Sequence, residues 1–553
     1  MKFKLFKKSE LSVEQKEKRK RERYLLIMSA IFLALGFPPS PFPLTLFVAL
    51  VPYLIVISER KTLAEINKAT FLMTFTFSVL SLYWVGAFTL AKDPFLMIGG
   101  FLLFFINPVP FLIASSLYYF WRKYISSKTV LFVFPLFWLL YEYLYTVTDW
   151  SFPWLQMHNG MVKFTYFIQI ADTIGGWGLT LLIVGTNVAF YYAFINYYSN
   201  RRKFLASLSI GLLMILLPTI YGLIVISKGL DSEKSKTIKI GLVQPNIDPY
   251  DKWAELDYIK TVKMLLSSSR TLLQEKPDLI LWPETALPIY YKSIGYSDAR
   301  DSLQSFINTY PVSLITGMPD FREYFEGDIM PPDVKVRKDM KRYYATYNAV
   351  YGMTNGSPDI QTYGKMKLVP FGERVPFVDE IPILGDWIKW GVGLSGWNVG
   401  RDTTIFKFAN SNKTDSFKVG AVVCYESIYT GLVTSIASKG AQFLVVVTND
   451  SWYGNTSGPY QHRDFGRLRA VETRRYFVRC ANGGISCFIN PFGQIEKQTA
   501  MYESTLLSGE VKLLDEQTFY SKHPMLFPYI AIFAGLVCLI GAVIGKFKKR
   551  TTS

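Results

Sequence analysis

Histidine is nearly absent from this chain. His158, His462 and His523 are the whole complement, far apart and without ligand spacing, which argues against a histidine-based zinc centre. Four cysteines (Cys424, Cys480, Cys487 and Cys538) are too few to form a disulfide framework for 553 residues. No metal or other cofactor is therefore expected. Internal repeats and low-complexity linkers are also missing. Only 19% of the residues are charged while 50% are hydrophobic, so the chain is not a uniformly solvated globule.

The apolar residues gather before residue 230 and again after residue 523. Runs long enough to approach a membrane crossing lie at 25–42, 44–58, 70–91, 95–120, 129–146, 167–197, 205–227 and 524–545. About eight spans are expected, the first two short enough to be tilted or partly re-entrant. No small-residue cleavage site follows the first, which marks it as an uncleaved anchor. The spans lack intramembrane charges of the kind found along a transport pathway, which counts against a transporter or receptor.

The net charge of +17 concentrates at the membrane flanks, so lipid rather than nucleic acid is the expected partner. Residues 1–23 are basic. The loops after spans two, four and six carry Arg60, Lys61 and Lys68, then Arg122, Lys123 and Lys128, then Arg201, Arg202 and Lys203. Positive charge marks the cytoplasmic side, so both termini are expected inside. The resulting organisation is a basic N-terminus (1–23), a membrane domain (24–230), an extracytoplasmic polar domain (231–520), and a final span with a basic tail (521–553).

Within the polar domain, strands are expected at Ile238–Val243, Leu279–Trp282, Ser313–Gly317, Tyr343–Met353, Gly420–Cys424, Leu444–Thr448 and Gly484–Asn490. Helices are expected at 254–275 and 462–475. Continuous runs such as Phe443 to Val447 read as strands covered on both faces, and the alternation of elements predicts a layered α/β fold.

Cys424 follows one such run, Trp282-Pro283-Glu284 follows another, and Lys365 opens the stretch Gly364 to Glu373. A carboxylate, a lysine and a thiol are the parts of a thiol acyl-transfer site. The lysine favours the thiolate and can later hold an oxyanion, and Glu284 can take the thiol proton and return it to a leaving group. Taken singly, each residue has a plainer reading: a packed thiol, a solvated lysine, a turn glutamate. His462 is expected to organise the loop after Gly458-Pro459 rather than to serve as a base. Cys480 and Cys487 are expected in the core. Arg463, Arg467, Arg469, Arg474, Arg475 and Arg479 read mostly as a solvated helix face, with lipid headgroup contact as the lesser alternative.

Gly241 to Asn246, Trp282-Pro283-Glu284, Lys365 to Glu373 and Cys424-Tyr425-Glu426 together resemble the nitrilase superfamily. Leu368-Val369-Pro370-Phe371-Gly372-Glu373, Thr448 to Gly454, Gly458 to His462 and Phe152 to Gln156 resemble its membrane branch, the apolipoprotein N-acyltransferases. The resemblance implies an αββα sandwich beside the helical membrane bundle, with Glu284 as base, Lys365 as electrostatic lysine and Cys424 as nucleophile. It implies supporting or substrate-binding roles for Glu373, Tyr425, Glu426, Asn348, Trp452 and Trp253, the last on a mobile arm. It further implies acyl transfer from a phospholipid to a diacylated apolipoprotein in the bacterial inner membrane, by a monomer. A membrane-tethered amidase that uses water is the alternative. Lys367, Thr285 and Ser451 depart from the residues commoner in the family and bear on substrate preference.

Overall fold

The computed structural model describes residues 12–90, 93–230, 235–254, 258–337, 342–378 and 396–551; the side chains of 253, 254 and 549–551 lie outside that description. Before residue 230 the described chain is helical. Backbone polar groups cannot be left bare in hydrocarbon, and the helix starts are capped accordingly. Ser12 and Gln15 form a capping box on Val13–Gly36, Thr62 and Glu65 form one on Leu63–Leu82, and Asp93 accepts from Phe95 N and Leu96 N.

Among the described residues, five helices are long and apolar enough to cross a membrane by length and composition: Leu63–Gly86, Pro94–Tyr124, Ala171–Asn196, Arg201–Lys228 and Leu526–Lys548. The expected spans at 44–58 and 129–146 are shorter apolar helices, Pro43–Glu59 and Val130–Thr146. The first expected span, 25–42, is helical only as far as Gly36, in the helix Val13–Gly36, whose N-terminal half is charged.

One expectation fails here. Glu142 lies inside Val130–Thr146 and is buried. It is tolerated because its carboxylate accepts from Met157 N (2.8 Å), Thr180 Oγ1 (2.8 Å) and Trp138 Nε1 (3.2 Å).

Residues 237–512 form two sheets. The first comprises β1 (Thr237–Gln244), β2 (Leu279–Leu281), β3 (Ser313–Tyr324), β4 (Lys335–Arg337), β5 (Arg342–Met353), β6 (Gln361–Gly364) and β13 (Thr505–Lys512), in the order β13-β1-β2-β3-β5-β4 with β6 on β5. The second comprises β7 (Ile405–Ala409), β8 (Ser416–Val423), β9 (Phe443–Thr448), β10 (Phe477–Ala481), β11 (Cys487–Ile489) and β12 (Ile495–Gln498), in reverse chain order. β1, β2 and β3 run parallel, as do β8, β9 and β10.

Ile240, Leu281 and Val350 of one sheet share a core with Val419, Val445 and Cys480 of the other. The helices Tyr258–Leu272 and Ser297–Thr309 cover the outer face of the first sheet, and Thr430–Ser438 and Ser457–Thr473 that of the second. The result is four layers, α-β-β-α. The strand expected through Cys424 ends one residue earlier, because Cys424 turns into a 3-10 helix.

The arginine run is not a solvated face. Arg469, Arg475 and Arg479 are fully buried, and Arg474 is 8% exposed. Each meets acceptors supplied from far along the chain. Arg474, at the C-cap of Ser457–Thr473, donates to Asp172 Oδ2 (2.6 Å) and Gln169 Oε1 (2.6 Å) on the apolar helical side. Arg469 pairs with Glu472, whose Oε1 also accepts from Gly176 N (2.8 Å). The neighbouring Gly175 takes φ 63°, where an added Cβ would run into the Tyr520 ring. These contacts fasten the α/β layers to the apolar helices.

Removing one partner of such a buried pair leaves the other charge stranded, at about 3–5 kcal/mol. Arg474→Met is therefore expected to lower the thermal unfolding midpoint in detergent, by more than Lys18→Met at an exposed pair with Glu59. Equal midpoints would show that the seam is held elsewhere.

Candidate active site

Glu284, Lys365 and Cys424 each sit just past the end of a strand, at the same end of the two sheets. Glu284 follows β2 on a loop pinned from below. Trp282 N donates to Ile315 O (2.9 Å), Gly317 N donates to Pro283 O (3.1 Å), and Trp282 Nε1 donates to Ser269 Oγ (2.9 Å). β3 passes so close beneath that a Cβ on Gly317 would lie 2.7 Å from Glu284 Cα. Lys365 leaves β6, its N–H donating to Asn348 O (2.8 Å).

The lysine is buried between two carboxylates. Its Nζ is 2.9 Å from Glu373 Oε1 and 3.3 Å from Glu284 Oε1. Asn348 Nδ2 donates to the same two oxygens at 2.8 Å each. Burial alone would strip the lysine of its proton, but Glu284 and Glu373 outweigh it and hold its pKa well above the ordinary value. Glu373 is anchored in turn by Val369 N, which donates to Oε2 at 2.8 Å. Glu373 and Lys365 thus form a direct ion pair.

Cys424 carries φ 50°, a left-handed conformation unusual for a residue with a Cβ. The turn forces the chain abruptly from strand into helix. Burial and the Glu284 charge push the thiol pKa up; Lys365 and the Thr448 hydroxyl pull it down, and the upward causes prevail. The lysine favours the thiolate, as expected, but burial and the Glu284 charge outweigh it.

Glu426 holds the two halves together. Its Oε1 accepts from Met366 N (2.6 Å), Lys367 N (3.1 Å) and Tyr363 OH (2.8 Å), and its Oε2 from Val423 N (2.7 Å). Burial lifts its pKa to about 7 despite these donors. Tyr425 points the other way, donating to Ser151 O at 2.6 Å in the loop after the helix Val130–Thr146. Phe152 stacks on its ring, and Lys367 Nζ donates to Thr146 O (3.3 Å). Trp452 meets Tyr250 edge to face. Trp253 belongs to the short helix Pro249–Ala254, but its side chain lies outside the described residues.

Three features escaped the sequence. Lys252, buried, donates to Thr285 Oγ1 (2.9 Å) and Glu284 O (3.2 Å), with its pKa lowered by burial to about 7. Ser427 Oγ donates to Cys424 O (2.8 Å). His462 does not organise the loop it follows; it reaches the turn of Cys424 from inside the helix Ser457–Thr473. Cys424, Asp450 and His462 lie close enough to suggest a metal site, but Arg479 already pairs with Asp450 and Lys365 faces the thiol. A cation there would meet two positive charges.

Comparison with known proteins bears on what this geometry serves. The description "Apolipoprotein N-acyltransferase N-terminal domain" fits residues 29–189, and "Carbon-nitrogen hydrolase" fits residues 239–519. The apolipoprotein N-acyltransferase of Chlorobaculum tepidum is 31% identical over 526 residues, covering 94% of this chain and 96% of that protein. This chain belongs to the apolipoprotein N-acyltransferase family. The namesake from Geobacter metallireducens is 28% identical over 533 residues, covering 95% and 94%. Among solved structures, Saccharomyces cerevisiae Nit3 aligns at a TM-score of 0.35 and 16% identity, over 53% of this chain and 94% of that one.

In this member of the apolipoprotein N-acyltransferase family, Asn348 is the one neutral group touching both carboxylates beside Lys365 among the described residues. Each lost hydrogen bond to a charged group is worth about 1.5–3 kcal/mol. Asn348→Leu is expected to lower kcat by about 10- to 100-fold with the fold retained. An unchanged kcat would show that Lys365 alone sets the spacing of Glu284 and Glu373.

Proposed function

We propose that the chain moves a fatty acyl group from a phospholipid, through a thioester on Cys424, to the α-amine of a diacylglyceryl-cysteine at the N-terminus of an apolipoprotein. The observation that carries this reading is the Tyr425–Ser151 hydrogen bond. It seats the nucleophile turn directly on the end of an apolar helix, where a donor held in the membrane and an acceptor anchored there can both reach it.

Glu284 takes the proton of the Cys424 thiol as sulfur attacks the ester carbonyl carbon. Lys365, kept protonated by its two carboxylates, faces the negative charge that develops on the carbonyl oxygen. Collapse breaks the carbon–oxygen bond, and Glu284 returns the proton to the departing lysophospholipid oxygen. The acceptor amine then attacks the thioester. Glu284 removes the amine proton, the amide forms, and the thiol leaves reprotonated. Glu373 and Asn348 position Lys365 and Glu284, and Glu426 fixes the Cys424 turn. Trp452, and Trp253 on its short helix, are proposed to contact the substrate.

The alternation of basic loops supports a crossing pattern of about eight spans with both termini in the cytoplasm. It also supports a catalytic segment, 231–520, on the outer face of the bacterial inner membrane, a membrane domain at 24–230, and a last span and tail at 521–553. One chain supplies every proposed catalytic group, so a monomer suffices. Hydrolysis of an amide by water is the weaker reading, because water needs no apolar helices to deliver it.

Incubation of the whole protein with phospholipid alone is expected to raise its mass by one acyl chain, labile to hydroxylamine and absent in Cys424→Ala. Adding a diacylated lipopeptide should clear the adduct and yield triacylated peptide. Acyl release only as free fatty acid, with no amide formed, would sink the transfer mechanism.

A further inference from the structure

The turn that carries Cys424 meets a buried chain of polar and charged groups. Arg479, on β10, pairs with Asp450, just past β9. Asp450 Oδ1 is 2.9 Å from His462 Nδ1, and Arg479 Nη2 is 3.0 Å from the same nitrogen. His462 Nε2 then lies 3.0 Å from Cys424 O and 2.8 Å from Ser427 Oγ. All of these side chains except Ser427's neighbour Cys424 are buried, and the ring of Trp154 packs on His462 at 5.6 Å.

The direction of the last hydrogen bond follows from chemistry. A backbone carbonyl oxygen can only accept, so the contact with Cys424 O is a hydrogen bond when Nε2 carries a hydrogen, with Ser427 Oγ donating to the same oxygen. The imidazolium meets this and also donates from Nδ1 to Asp450 Oδ1; the neutral ring with its hydrogen on Nε2 meets it with Arg479 Nη2 donating to Nδ1. An Nε2 that carries its proton has no lone pair left for the thiol. The ring is a donor here, not a base.

We infer that His462, oriented by Asp450 and Arg479, is a positioning residue for acyl transfer: with Ser427, it clamps the carbonyl of Cys424 and so keeps the nucleophile in its left-handed backbone conformation. That conformation is costly for a residue with a Cβ, and two hydrogen bonds to its carbonyl help to offset the cost. Without the clamp the Cys424 backbone relaxes, and its thiol swings away from Glu284 and Lys365. The inference rests on the reading of Cys424 as nucleophile.

The test is the rate at which the acyl adduct appears on the full-length protein after mixing with phospholipid, followed by mass. His462→Leu removes the donor and is expected to slow acylation by about 100-fold, as misplacement of a reacting group does. His462→Gln, whose amide can still donate, should recover to within about fivefold of wild type and keep its pH profile. Ser427→Ala removes the other donor with little loss of volume. It should slow acylation by about fivefold, independently of any folding defect in His462→Leu. An adduct forming at the wild-type rate in both His462→Leu and Ser427→Ala would overturn the clamp. So would a His462→Gln variant as slow as His462→Leu with a displaced pH profile, which would mean that His462 moves a proton. Absence of the adduct in wild type would instead overturn the nucleophile assignment, and the clamp with it.

Discussion

One buried carboxylate decides whether this chain has a site at all. Glu426 takes hydrogen bonds from the start of the Lys365 segment, which leaves the seven-stranded sheet, and from Val423, at the end of a strand in the six-stranded sheet. The lysine and the thiol therefore belong to different sheets and meet because one side chain fixes both backbones. A carboxylate with four donors in a dry setting is a rigid joint, since releasing any one of them leaves a buried group unsatisfied. The geometry around Lys365 inherits that rigidity, and the ion pairs with Glu284 and Glu373 follow.

The same logic extends outward to the apolar helices. Tyr425 is bonded to Ser151, Arg474 to Asp172 and Gln169, and Glu472 to Gly176. These contacts use side chains of the α/β layers to satisfy backbone and polar atoms at the helix ends, where apolar packing alone would leave them bare. Reaction site and membrane seam are thus built from adjacent residues of one turn: Cys424 faces inward to the triad, and Tyr425 outward to the helices.

What could be read from the residues alone follows from how local each signal is. Continuous apolar runs betray the central parallel strands, such as Phe443 to Val447, because both faces are covered. The edge strands β7, β12 and β13 alternate or carry charge, and β10 hides Arg479 in its middle, so none of the four declared itself. Glu284, Lys365 and Cys424 were legible because each follows a strand within a long motif. The arginines were misread for the opposite reason: Asp172 lies 302 residues from Arg474, and no window along the chain sees that pairing. Glu142 deceived in the same way, since Thr180 is 38 residues distant.

A protonated thiol has a further consequence. Peroxides and disulfides attack or are attacked by thiolates, and oxidation of a cysteine proceeds in proportion to its thiolate fraction. Burial and the Glu284 charge suppress that fraction at Cys424. A low thiolate fraction makes this cysteine a poor target for oxidants.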